Sequence, residues 1–110
     1  MWELLPQAAR ALIDQHEPHV SPLVALELEY LHEVGRARDS VPTMLAALRQ
    51  SMGVQVEDVS LAELVNAAQG LSWTRDPFDR LIAAHAIVAD APLLTADETI
   101  RKHLPLATWE

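Results

Sequence analysis

Helix-start signals alternate with short apolar runs along this chain, and that alternation constrains the fold more than any bulk property. Ser21-Pro22, Ser60-Leu-Ala-Glu63 and Asp76-Pro77-Phe-Asp79 each join a capping oxygen to a proline at the first helical position or an acid at the third. Helices are predicted from about Pro6 to Gln15, Pro22 to His32, Pro42 to Ser51, Ser60 to Gln69, Asp76 to Ala89 and Glu98 to His103. Short strands are predicted at His19-Val20, within Val54 to Val59, at Pro92 to Thr95 and at Leu106 to Trp109. Parallel strands need a crossover, which a helix supplies, so this order predicts an α/β domain with a mainly parallel sheet flanked by helices. With 110 residues, half of them apolar, and no repeat or linker, one domain over residues 1–110 is expected.

Bulk properties exclude several classes. The apolar run Leu81 to Ala89 is interrupted by His85 and ends at Asp90, short of the roughly 20 residues of a membrane span. Met1-Trp2-Glu3 is acidic where a secretion signal is basic, so a cytoplasmic location is expected. Without cysteine there are no disulfides or thiolate ligands, and any metal must take oxygen or imidazole donors. A formal charge of −8 opposes general attraction to nucleic acid, unless carboxylates converge on a divalent ion that offsets part of it.

The acids are the candidate chemistry. Asp79 lies at the start of a predicted helix and Asp97 just past a predicted strand. A helix descending about 15 Å and a strand climbing back a similar length return both to one rim, outside the carboxyl ends of the strands where α/β proteins place their ligands. Glu27, on the helix after the first strand, leans over that rim if its helix tilts across the sheet. Carboxylates so gathered repel each other unless a proton or a hard cation intervenes. Magnesium or manganese suits such a site and the hydrolysis of a phosphodiester.

Three segments carry a family resemblance: Ser21-Pro-Leu-Val-Ala-Leu-Glu27-Leu-Glu29-Tyr-Leu, Arg75-Asp-Pro-Phe-Asp79-Arg-Leu-Ile-Ala-Ala-His-Ala86 and Pro92-Leu-Leu-Thr95-Ala-Asp97. In order and spacing they resemble successive motifs of PIN-domain ribonucleases of the VapC toxin type. The resemblance implies a PIN-like fold and a metal-dependent endoribonuclease, the toxin of a type II toxin–antitoxin pair. It implies Glu27, Asp79 and Asp97 as catalytic, metal-binding acids for Mg2+ or Mn2+, with Asp76 and Thr95 supporting them and Arg75 and Arg80 touching RNA phosphate. A cognate antitoxin and a symmetric homodimer are the implied partners. Family members open with a central strand ending in aspartate, whereas this sequence starts in what resembles the following helix, and Asp14 does not match that acid. The family's first central strand is therefore expected to be lacking. A late-assigned start, a decayed gene, and a gap closed by the flanking strands or another subunit are the competing explanations. A non-catalytic remnant that binds antitoxin or a PIN partner is the alternative function.

Structural roles compete for the same residues. Asp76 is well explained as an N-cap, Asp79 gains from the helix dipole, and Asp97 suits the cap of the helix at Glu98 to His103. Glu27 also fits an exposed helical acid, with Glu29 beside it. His85 is expected to be a packed or rim residue. None of the five histidines forms a zinc-protease pair. Arg36, Arg38, Arg75, Arg80, Arg101 and Lys102 are either a basic border to the cleft or ordinary surface charge. Trp2, Trp73 and Trp109 read as core or interface anchors rather than base-stacking platforms.

Overall fold

Six helices and four short strands alternate through residues 5–110, the part of the chain that the computed structural model describes. They run α1 (Gln7–Gln15), β1 (His19–Val20), α2 (Pro22–Glu33), α3 (Val41–Met52), β2 (Gln55–Val56), α4 (Leu61–Ala68), α5 (Pro77–Ala89), β3 (Leu93–Leu94), α6 (Glu98–His103) and β4 (Ala107–Thr108). This is the mixed α/β architecture with parallel pairing that the helix and strand signals predict. Trp2 and the remainder of the first four residues lie outside the described residues.

Caps set the helix boundaries. Ser21 accepts the Leu23 amide at the start of α2 (3.2 Å), and Ser60 accepts the Glu63 amide at the start of α4 (3.5 Å). The third helix begins at Val41 rather than Pro42, because Ser40 Oγ accepts the Thr43 amide (3.4 Å) and so becomes the cap. It ends at Gly53, whose φ of 69° is the left-handed conformation that glycine adopts without a Cβ penalty. A second left-handed residue, Asp90 (φ 51°), ends α5.

The chain divides into two compact units, His16–Asp58 and a second that joins Val59–Glu110 to the segment ending at Gln15. In the first, β1 pairs parallel with β2, His19 opposite Gln55 and Val20 opposite Val56, with α2 and α3 as the crossover. In the second, β3 pairs parallel with β4, Leu93 opposite Ala107 and Leu94 opposite Thr108, with α6 as the crossover. The described strands form two two-stranded sheets, each with the parallel pairing that was expected. A sheet continues only through a strand paired on both edges, and none of these four is.

The core lies in the Val59–Glu110 unit. Ala83 and Ala86 of α5 pack with Ile100 of α6 and with Leu104, and Leu71, Trp73, Leu93, Leu106 and Ala107 close around them. Helices α4 and α5 lie against each other, α4 burying Leu64 and Ala68 and α5 burying Ala83, Ala84, His85 and Ala86. Most of these buried residues are alanines, which bury little apolar area apiece. Trp73 serves as the expected anchor, stacked flat on His103 with ring centroids 5.2 Å apart. The His16–Asp58 unit is built differently. Ser21 is buried there, and no apolar side chain is.

Candidate functional site

One local device is used twice in the Val59–Glu110 unit, each time at a helix entrance. Thr74 Oγ1 accepts the Asp76 amide (3.2 Å), and Asp76 Oδ1 accepts the amides of Phe78 (2.8 Å) and Asp79 (3.4 Å). Thr95 Oγ1 accepts the Asp97 amide (3.1 Å), and Asp97 Oδ1 accepts the Ile100 amide (2.9 Å). Each Thr-x-Asp sequence thus orients its aspartate, which caps the following helix and satisfies amides that have no partner within it. In both carboxylates the helix amides engage Oδ1, so capping leaves the second oxygen uncommitted to the helix.

The acids sit as follows. Asp76 is the exposed N-cap of α5, and Asp79 is half-buried in its first turn. The Thr95 amide donates to the Thr108 carbonyl (3.1 Å), the rung beyond β3, so the exposed Asp97 follows the carboxyl end of that strand. Leu93 packs against the cluster that includes Ala83 and Ala86, which sets β3 alongside α5. From that level, the helix runs back to Asp79 over roughly 6–10 Å at 1.5 Å per residue. The strand and its extension run to Asp97 over roughly 13 Å at 3.3 Å per residue. Glu27 belongs to the other unit, exposed in the second turn of α2. Among the described residues, neither unit by itself gathers three or more His, Asp or Glu side chains able to hold a metal ion.

The two candidate phosphate contacts differ. Arg75 is exposed, whereas the half-buried Arg80 donates from Nε to the Thr74 carbonyl (2.8 Å), which ties its guanidinium to the entrance of α5. Thr74 therefore serves both the Asp76 cap and the Arg80 anchor. Sequence reasoning passed over it, although the repeat of Thr-x-Asp at 74–76 and 95–97 was the available signal.

The donor set fits a hard divalent cation in kind. Asp97, exposed, and Asp79, half-buried, are both carboxylates. Magnesium commonly takes one or two protein carboxylates and keeps several waters. The chain has no cysteine to favour a softer metal.

Comparison with known proteins gives one match. The family model described as PIN domain aligns with residues 2–103. Neither a curated protein nor a solved structure matches the chain.

Proposed function

Because the chain belongs to the PIN domain family, whose members are typically nucleases, we propose that it is a metal-dependent endoribonuclease and the toxin of a type II toxin–antitoxin pair. The observation that carries this reading is that both acids sit at helix entrances organised by a Thr-x-Asp sequence, Asp79 in the first turn that Asp76 caps and Asp97 as the cap of α6. The motif order supports Glu27 as the third acid.

In this reading Glu27, Asp79 and Asp97 would hold Mg2+ or Mn2+. When bound, such an ion would supply Lewis acidity toward water and phosphate. The chain's own residues do the rest. Asp76 fixes the first turn of α5 and with it the backbone at Asp79, and Thr95 fixes the turn that presents Asp97. Arg75 and Arg80 draw the phosphate toward the carboxylates, a local attraction that a chain of charge −8 needs. Hydrolysis consumes one water: its oxygen bonds to phosphorus, the ester P–O bond breaks, and the water's proton passes by way of a carboxylate to the departing oxygen. The reading includes a cytoplasmic location, a cognate antitoxin that silences the enzyme, and a symmetric homodimer.

A fluorophore–quencher RNA of mixed sequence tests the activity. Cleavage should require Mg2+ or Mn2+, stop with a chelator, and fall at least a hundredfold in Asp79→Asn and Asp97→Asn, about the loss typical for an electrostatic stabiliser. Cleavage that survives the chelator, or activity in both variants equal to the parent's, rejects the assignment.

A further inference from the structure

The ring of His103 lies flat on that of Trp73, with 1° between their planes and 5.2 Å between centroids. Parallel rings at that separation are offset, the arrangement aromatic pairs prefer. Both belong to the Val59–Glu110 unit, Trp73 in the segment that leads into α5 and His103 in the last turn of α6. Half-buried Trp73 packs against the core cluster, whereas His103 is exposed even though Trp73 covers one of its faces. What solvent reaches is therefore the opposite face. Nδ1 of His103 lies 3.0 Å from the Thr99 carbonyl, and because a carbonyl only accepts, Nδ1 carries the proton and donates. The ring is thus held by a hydrogen bond at its edge and a tryptophan beneath it, with little side-chain freedom left to lose when a ligand settles on top.

Charge points the same way. Arg101 and Lys102 precede His103, and they are the only adjacent pair among the eight lysines and arginines of a chain whose formal charge is −8. The dipole of α6 accounts for cations in its last turn, but not for an aromatic face laid open beside them. A flat, pre-set ring next to two cations suits a ligand that is itself flat and anionic, a base with its phosphate. We propose that His103, backed by Trp73, is a stacking platform for one unpaired base of a single-stranded RNA, with Arg101 and Lys102 drawing the neighbouring phosphates. The choice of RNA rests on the nuclease reading, to which the platform adds a contact that none of the three acids makes. Every base has a face to stack, so the platform holds a strand without selecting its sequence.

Anisotropy of a short fluorescent RNA of mixed sequence, titrated with the full chain in a chelator so that no strand is cut, measures the contact. The intact single strand should bind at least about tenfold more tightly than an abasic strand of the same length, or than the same RNA annealed to its complement, whose bases are already stacked. His103→Ala should lose about tenfold on the intact strand and leave the abasic strand unaffected. His103→Phe, which keeps a ring on Trp73 without the bond to Thr99, should retain most of the affinity. Lys102→Ala, an exposed substitution, should weaken both strands alike and lower the salt dependence. Because the comparison of strands uses the parent chain, it decides the matter even where His103→Ala fails to fold. Equal affinity for intact and abasic strands, a folded His103→Ala that binds RNA like the parent, or a His103→Phe as weak as His103→Ala overturns the platform. RNA binding by a chain that cuts nothing when Mg2+ is restored counts against the nuclease alone, and cleavage with RNA binding indifferent to His103 counts against the platform alone.

Discussion

Asp97 combines two roles that substitutions can separate. Its Oδ1 accepts the Ile100 amide at 2.9 Å, and an asparagine oxygen can take the same bond. Asp97→Asn should therefore melt within a few tenths of a kcal/mol of the parent, while Asp97→Ala loses the cap and about 1 kcal/mol. Both remove the anionic donor, so both should weaken Mg2+ binding in a calorimetric titration to a similar degree. If Asp97→Asn binds Mg2+ like the parent, Asp97 is a cap alone. Asp76→Ala provides the contrast, with a stability loss of about 1 kcal/mol from the two amides it leaves exposed and Mg2+ affinity near that of the parent. The caps at Asp76 and Asp97 were legible because a helix entrance is a local event, written in a few adjacent residues. Thr74 was passed over: the Thr-x-Asp repeat marks its hydroxyl's hold on Asp76, but nothing local marks its carbonyl's hold on Arg80, six residues on. The association of Glu27 with the other acids rests on the motif order, because spacing along a chain does not set long-range proximity.

Helix α5 depends on small side chains. Ala83 and Ala84 are fully buried, and α4 lies against the same helix. Ala83→Leu adds volume where the core has no room and should cost about 1–3 kcal/mol, read as a lower denaturant midpoint with an unchanged slope. Gly53→Ala isolates backbone from packing at the end of α3. Nothing lies within 4 Å of the added Cβ, yet φ is 69°, so a loss of about 1 kcal/mol would come from conformation alone. The helices were readable from capping and periodicity almost to the residue, with α3 extended by its Ser40 cap. Strands fared less well. Each spans two residues where four or more were expected at Val54–Val59, Pro92–Thr95 and Leu106–Trp109. Their extent depends on a neighbour distant in sequence, such as Ala107 for Leu93, which no local pattern encodes.

At the scale of the molecule, burial is uneven, and local stability should follow it. All the buried apolar residues belong to the unit that contains α5 and α6, and none to His16–Asp58. Amides in α5 and α6 should therefore resist hydrogen exchange longer than those in α2 and α3, because a segment opens in proportion to the apolar contact it forfeits. Metal binding turns this difference into a test of the three-acid site. A ligand that binds only the folded form stabilises it by about 2.7 kcal/mol at a concentration a hundred times its dissociation constant. An ion held by Asp79 and Asp97 alone would slow exchange at the entrances of α5 and α6 and leave α2 as it was. An ion that also takes Glu27 makes opening of α2 a loss of metal, so α2 should gain protection along with α5 and α6. Glu27→Gln should then remove the gain in α2 selectively, whereas Asp79→Asn should remove it throughout. Protection that rises in α5 and α6 on Mg2+ addition while α2 stays unchanged in the parent chain would strike Glu27 from the ligands and leave a two-carboxylate site.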